Sequence, residues 1–185
     1  PQSDNTREWL KRLSFFDVET ENYLSGKSID WFDEVIQTGT KQNYDVNISG
    51  GTSVIKYYWS LGYQNNKGVI VGDKFSILRS RLNLEANITH WLKVGTNLQL
   101  SQRQEDAVPA NLGQMFIMSS YGDMFEADGS IKWYPNTFAT ANPLIDNYGR
   151  TRFQRSHNLF STVYSEIKLP FNLNYRLSFQ PRISY

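Results

Sequence analysis

The stretch Leu173-Asn174-Tyr175-Arg176-Leu177-Ser178-Phe179-Gln180 alternates apolar and polar residues over its whole length. Because successive side chains of a strand point to opposite faces, one face of this segment is wholly apolar and the other is polar. A wall between lipid and a water-filled lumen requires this pattern. The stretch therefore predicts one strand of a transmembrane β-barrel.

Other segments of the chain repeat the alternation, and they occur in pairs that tight turns join. The predicted pairs are 43–49 with 55–64, 78–88 with 92–101, and a strand before Pro170 with the stretch quoted above. The turns are predicted near Gly50, His90 and Pro170. Six alternating segments in three hairpins predict an antiparallel sheet.

The register of each hairpin supports this interpretation. The predicted cross-strand pairs are Leu82 with Leu98, Val46 with Tyr57, and Val163 with Leu177. In these registers every hairpin keeps one continuous apolar face. A slip of one residue would move every apolar side chain to the wrong face, so the alternation specifies the pairing closely.

The remaining segments lack the alternation. Short helical pieces are predicted at 6–13, 29–36 and 110–119.

In outer-membrane barrels the short turns are periplasmic and the long loops are extracellular. The chain is therefore predicted to be all-β, an antiparallel transmembrane β-barrel segment of about six strands from a larger barrel. Its predicted parts are an extracellular loop with short helical pieces (1–41), four barrel strands (42–102), a long extracellular loop (103–152) and two barrel strands (153–185).

The composition gives no support for several kinds of site and partner. The 185 residues include no Cys, which leaves no basis for a disulfide or a thiolate metal site. No run approaches the ~18 apolar residues of a spanning helix. The net charge of +1 gives no reason to expect a nucleic-acid partner. The chain starts at Pro1 rather than Met, which indicates a processed or partial chain.

A series of short motifs resembles one transporter family. In chain order they are Asp30-Trp31-Phe32-Asp33-Glu34, Gln42-Asn43-Tyr44, Ser49-Gly50-Gly51, Tyr57-Tyr58, Gly62-Tyr63, Gly68, Arg81-Leu82-Asn83, Trp91-Leu92-Lys93-Val94-Gly95 and Asn142-Pro143-Leu144. Their order and spacing resemble the early barrel region of SusC/RagA-type TonB-dependent outer-membrane transporters, just after the plug. The resemblance covers roughly residues 28 to 185.

That resemblance implies import of oligosaccharides or peptides across the Bacteroidetes cell outer membrane, energised through TonB. It also implies a SusD-like surface lipoprotein that closes over the outer mouth. About six strands cannot close a plugged barrel, which takes about 22. The chain is therefore predicted to be a segment of a longer protein, with transport, TonB coupling and lid binding belonging to the parent.

No enzyme function is predicted. His90 and His157, the only histidines, lie far apart in the sequence, and no Cys accompanies them. A metal site needs convergent ligands, so none is predicted, and no cofactor motif occurs either. Arg79, Arg81 and Glu85 are expected on the lumen side, because charges on the lipid face would cost a few kcal/mol each near the midplane.

Aromatic residues in the loops are the candidate contact residues for a substrate or a partner. They are Trp31, Tyr121, Trp133, Tyr134 and Phe138. Aromatic faces stack on sugar rings and on apolar peptide side chains. The alternative is that these rings pack the loops against each other or against a partner lipoprotein.

A second class of function also fits the alternation. A soluble or secreted β-sheet ligand-binding module would turn the same apolar face inward around a core. Alternation alone does not say which face meets lipid. Aromatic residues at both strand ends and the difference in loop length between the two ends favour the membrane.

Overall fold

The structure, a computed structural model, describes residues 2–136 and 140–185. The helices are α1 (Gln2–Arg12), α2 (Asp17–Ser25), α3 (Trp31–Val35), α4 (Leu112–Ile117) and α5 (Ile145–Gly149). The strands are β1 (Thr40–Gly51), β2 (Ile55–Lys67), β3 (Lys74–Asn87), β4 (Leu92–Gln104), β5 (Arg155–Lys168), β6 (Asn174–Phe179) and β7 (Arg182–Ser184). No helix in the described ranges is long and apolar enough to cross a membrane.

The chain divides into two compact units. The sheet unit comprises Lys41–Lys67, Lys74–Asp106 and Phe153–Tyr185. The loop unit comprises Pro1–Thr40, Gly68–Asp73 and Ala107–Arg152. The connections after β2 and β4 are thus parts of the loop unit, whereas the turns after β1, β3 and β5 belong to the sheet unit.

The sheet follows chain order from β1 to β6, and β7 also pairs with β5. Phe179 pairs with Val163 and Ser184 pairs with Asn158, which places β6 and β7 in one register on β5. Pro181 lies between them and has no N–H to donate, so the ladder is interrupted there. β6 and β7 are therefore two parts of one strand, and the predicted sheet of six antiparallel strands is confirmed.

One face of the sheet is apolar across the paired strands. Its side chains include Tyr57, Trp59, Leu61, Leu78, Leu82, Leu84, Leu98, Leu100, Leu159, Val163, Leu177 and Phe179. Many of them remain exposed, Phe179 by 70%. A contiguous apolar surface of this extent is rare on a soluble monomer, so the face requires apolar surroundings.

The pairing of β3 with β4 is the predicted one. Leu82 lies opposite Leu98, and Ala86 lies opposite Val94. The β5–β6 register was predicted wrongly by two residues, because Leu177 lies opposite Ser165 rather than Val163. The Leu169 amide donates to the Leu173 carbonyl at 2.8 Å, which leaves a loop of three residues, and two of them, Phe171 and Asn172, have positive φ. This turn sets the register. The shift is even, so the apolar face is kept.

The β1–β2 pairing also differs from the predicted one. A Cβ added to Gly50 would meet the Tyr57 ring, and one added to Gly62 would meet Asp45, so Tyr57 lies beside Gly50 and not beside Val46. The turn falls at Thr52, whose Oγ1 accepts hydrogen bonds from the amides of Val54 and Ile55. β1 therefore extends through the two glycines that were predicted to form the turn.

Candidate contact surface of the loop unit and polar face of the sheet

The loop unit has its own hydrophobic core. Its buried members are Trp31, Val35, Ala110, Met115, Met118, Met124 and Leu144. Two short helices present much of this set, and each has a side-chain cap: Asp30 Oδ1 accepts from the Phe32 amide at 2.9 Å, and Asn111 Oδ1 accepts from the Gln114 amide at 3.1 Å. Such caps satisfy amides that a helix start would otherwise leave unpaired. The core thus fixes the loop backbone from which exposed side chains project.

Asn142 joins three parts of this unit. Its side chain is 1% exposed and all its polar groups are paired. Nδ2 donates to the carbonyls of Met124 (3.2 Å) and Lys132 (3.0 Å), and Oδ1 accepts from the Leu144 amide (3.0 Å). The Asn142 amide donates to the Trp133 carbonyl at 2.8 Å. Asn142 therefore holds the hairpin around Asp128 against the turn that begins α5.

A polar cluster around Asp123 joins the N-terminal helices to the same hairpin. Asn22 Nδ2 donates to Asp123 Oδ1 at 3.1 Å, Lys27 pairs with the same oxygen, and Lys132 Nζ lies 3.7 Å from Oδ2. Burial pushes the pKa of the Asp123 carboxyl up, but the hydrogen bonds from Lys27 and Asn22 and the two positive charges hold that pKa below its ordinary value of 3.8. The carboxylate is therefore the form that stabilises the fold.

This cluster predicts a pH-dependent stability. A lowered folded-state pKa contributes stability above the unfolded value, and that contribution is lost as pH falls through the folded pKa. Asp123→Asn should lower the free energy of unfolding of the loop unit by up to about 1 kcal/mol at pH 7. It should have no effect at a pH below the lowered pKa. Hydrogen exchange of the loop amides at both pH values measures this, with the exposed Asp33→Asn as control; an equal loss at both values would contradict it.

The structure places the predicted aromatic residues in different environments. Trp31 is 4% exposed, and its indole N–H donates to the Ser119 carbonyl at 2.8 Å. Tyr121 packs against Phe15 and Tyr23, with ring centroids 5.8 and 5.3 Å away. These two residues therefore pack the loops together in the chain as described.

Among the described members of the predicted set, Trp133 is the most exposed, at 61%. Tyr134 is half-buried. Phe138 lies outside the described residues. Trp133 thus has the free aromatic surface that a ligand or a partner needs.

Other exposed apolar residues of the loop unit were not predicted as contacts. Phe125 and Tyr148 form an edge-on pair with centroids 6.1 Å apart, and both rings are exposed. Phe116 and Ile117, at the end of α4, are exposed by 77% and 67%. The signal in the sequence is the run Met115-Phe116-Ile117-Met118, in which a helix can bury only one side. We name Trp133, Phe125, Tyr148, Phe116 and Ile117 the exposed loop set.

The polar face of the sheet carries an ion-pair network across β3, β4, β5 and β6. Lys93 Nζ lies 3.5 Å from Glu85 and 3.2 Å from Glu166, and Arg176 lies 3.3 Å from the other Glu166 oxygen. Tyr164 donates to Glu85 at 3.2 Å. In this register the charged side chains lie on the face opposite the apolar one, as the alternation predicted.

Gly95 provides room for this network. A Cβ at Gly95 would lie 2.3 Å from the Tyr164 ring, so any other residue there would displace the tyrosine. The Arg176 guanidinium stacks over the same ring at 4.5 Å from its centroid. No group of three or more His, Asp or Glu side chains that could hold a metal ion occurs within residues 2–136 and 140–185.

Comparison of the sequence with known proteins finds relatives among TonB-dependent receptors. The chain is 27% identical over 180 residues to TonB-dependent receptor P39 of Formosa agariphila, covering 89% of this chain and 17% of that protein. It is 36% identical over 93 residues to TonB-dependent receptor P3 of the same organism, covering 48% of this chain and 9% of that protein. No protein-family model matches the chain.

Solved structures of one transporter share the fold. A structure of the RagAB peptide transporter matches with a TM-score of 0.70 at 22% identity, over 85% of this chain and 19% of that chain. The RagAB peptide importer in its closed-closed state matches with a TM-score of 0.64 at 22% identity, over the same shares. The chain thus spans less than a fifth of the length of each of these proteins, and its open sheet matches a segment of a barrel.

Proposed function

We propose that this chain forms part of the barrel wall of an outer-membrane nutrient transporter. Its relatives and its fold confirm its resemblance to SusC/RagA-type TonB-dependent transporters. The observation that carries the proposal is the sheet itself. Its apolar face is exposed at many of its large side chains, and its opposite face holds the ion pairs of Lys93. Hydrocarbon suits the first face and a polar interior suits the second.

We also propose an orientation for the wall. The turns after β1, β3 and β5 are short, whereas the connections after β2 and β4 contribute to the loop unit. Short turns are periplasmic in outer-membrane barrels, and longer loops are extracellular. Segments 1–41 and 103–152 then lie outside the cell, and segments 42–102 and 153–185 form the wall.

The parent protein in this proposal imports oligosaccharides or peptides with energy supplied through TonB, together with a SusD-like lipoprotein. The peptide importer with the same fold supports the peptide class, and the exposed aromatic rings suit either class. A cell that lacks the full-length protein, or lacks TonB, should lose uptake of labelled peptides or labelled oligosaccharides. Unchanged uptake of both classes in both strains would refute the import function.

We assign the contact surface of the loop unit to a substrate or to the lipoprotein, with Trp133 and Tyr134 as its main predicted residues. Trp31 and Tyr121 then act by fixing the loops, and Tyr134 and Phe138 keep their predicted contact role. Aromatic side chains in the exposed loop set give large contact area at low entropy cost. Interfaces place aromatic anchors in this way.

Trp133→Ala should weaken the complex between the full-length protein and its lipoprotein partner by at least about tenfold, because truncating an interface anchor costs about 2 kcal/mol. Pull-down with titrated lipoprotein measures the affinity. Trp9→Ala is the matched control, since Trp9 is also an exposed tryptophan of the loop unit and was not predicted as a contact. Equal affinity for the parent and the Trp133 variant would remove this residue from the interface.

The alternative, a soluble or secreted β-sheet ligand-binding module, predicts that the apolar face is covered by a second apolar layer. The exposure of Val163, Leu177 and Phe179 favours the membrane instead. Solubility of the full-length protein without detergent would favour the alternative.

A further inference from the structure

The apolar face of the sheet carries cations at one end only. Lys67, Lys74 and Arg155 fall on this face by strand alternation, at the end where β2, β3, β4 and β5 meet their longer connections. At the opposite end the same face carries Ile55, Ala86, Val94 and Ile167 and no charged side chain in the described strands. The lysines near that end, such as Lys93, lie on the polar face.

Two of the three cations lie where their charges repel each other. Lys67 and Lys74 lie directly opposite each other in the β2–β3 ladder. Like charges in directly opposed positions destabilise a sheet. All three residues are exposed, and none of them makes an ion pair with a carboxylate in the part of the chain that the structure describes. An anion beside this face would remove the repulsion.

A groove of about 450 Å³ lies on the same face, and its nearest lining residues are His157, two residues from Arg155, and Leu78, four residues from Lys74. Its lining includes Leu78, Leu100, Leu159, Gln102, His157 and Tyr185. Gln102 pairs with His157 in the register, and the His157 ring stacks on Tyr185 with centroids 5.0 Å apart.

The groove therefore grades from apolar to polar along the strands. The Gln102–His157 row lies two residues from the row of Gln104 and Arg155, about 7 Å along the strand. A molecule that fits this order has a hydrocarbon tail and a negatively charged head.

We propose that this end of the apolar face binds a phosphate-bearing glycolipid, with an acyl chain in the groove and phosphate oxygens at Lys67, Lys74 and Arg155. The cations span three strand spacings from β2 to β5, about 14 Å across the strands, and the row of Arg155 lies two residues or about 7 Å along them from the row of Lys74. One phosphodiester headgroup reaches only part of that row, whereas phosphates on a glycan head reach both ends. Arg and Lys are the side chains that pair with phosphate oxygens. The proposal rests on the proposed membrane placement of the sheet.

Native mass spectrometry of the full-length protein in detergent tests this. The probes are bisphosphorylated lipid A, the same lipid with its phosphates removed, and phosphatidylglycerol. The wild-type protein should retain bisphosphorylated lipid A in preference to the other two. The combined variant Lys67→Gln/Lys74→Gln/Arg155→Gln should bind it on the order of 100-fold more weakly, at about fivefold per cation.

The matched control is Lys41→Gln/Lys56→Gln/Lys168→Gln, which removes the same charge from the polar face and should bind lipid A as the wild type does. If the combined variant does not fold, Arg155→Gln alone should still weaken binding about fivefold, and Arg155→Lys should restore it. Equal binding by wild type and variants, or a preference for phosphatidylglycerol, would overturn the site. A wild-type protein that does not insert into membranes would overturn the proposed function instead, whereas an inserted protein without the lipid preference would overturn only this inference.

Discussion

Replacing Leu82 with arginine should prevent the full-length protein from assembling in the outer membrane. Leu82 lies between Trp59 and Leu98 in the middle of the apolar face. An arginine on the lipid face near the bilayer midplane costs about 2–4 kcal/mol. A second substitution of the same kind, Leu98→Arg, would add a similar cost beside the first. Heat-modifiable mobility of the outer-membrane fraction reports assembly.

The neighbouring position supplies the control for this substitution. Asn83 lies between Tyr58 and Asn97 on the polar face, and Asn83→Arg adds the same side chain to the same strand. It should leave assembly near the wild-type level, because the polar face meets no hydrocarbon. Equal loss from the two arginines would mean that the faces are assigned wrongly or that neither face meets lipid.

Asn142→Ala should unfold the loop unit locally while the barrel stays assembled. The substitution removes the hydrogen bonds to the Met124 and Lys132 carbonyls and to the Leu144 amide, and it leaves these groups without side-chain partners. Each buried polar group left unpaired costs about 1–3 kcal/mol, so a total near 3–5 kcal/mol is expected. Hydrogen exchange of the loop amides in the full-length protein measures this loss.

Asn147 provides a graded comparison. Within the described part of the chain its side chain makes one hydrogen bond, from Nδ2 to the Val108 carbonyl at 2.9 Å. Asn147→Ala should therefore cost about 1 kcal/mol, well below the cost of Asn142→Ala. Similar losses for the two variants would show that Asn142 does not hold the unit together.

The sheet could be predicted from the sequence because its information is local and periodic. The alternation around Leu82 and Leu98 fixes which face is apolar, and it fixes the register to within an even number of residues. The exact β5–β6 register depends on the turn at Phe171 and Asn172. A phenylalanine with positive φ is uncommon, so sequence patterns give little warning of it.

The loop unit could be predicted only in part. α3 and α4 lie within the predicted helical pieces, since Asp30 and Asn111 are good caps before apolar residues. α2 was not predicted, because it begins after Phe16 and is capped by Glu19, whose carboxylate accepts from the Phe16 amide at 2.8 Å. Its buried residues are polar, so it has no apolar stripe to reveal it.

The contact residues were the hardest to predict. Trp31 and Trp133 look alike in sequence, since both are tryptophans in polar surroundings outside the strands. Their exposure differs because Trp31 packs into the core of the loop unit and donates to the distant Ser119 carbonyl, and no local pattern encodes those contacts. The buried role of Asn142 likewise depends on carbonyls that are 10 and 18 residues away in the chain.

Spin labels on the full-length protein in bilayers test most directly whether the apolar face of the sheet meets lipid. The labels go on the apolar face at 82, 84, 98, 175, 177 and 179 and on the polar face at 81, 83, 97 and 176. The first set should be accessible to a lipid-soluble quencher and the second set should be shielded from it, because the two sets lie on opposite faces of the same strands. Shielding of the apolar set, or equal accessibility of both sets, would show that the apolar face does not meet lipid.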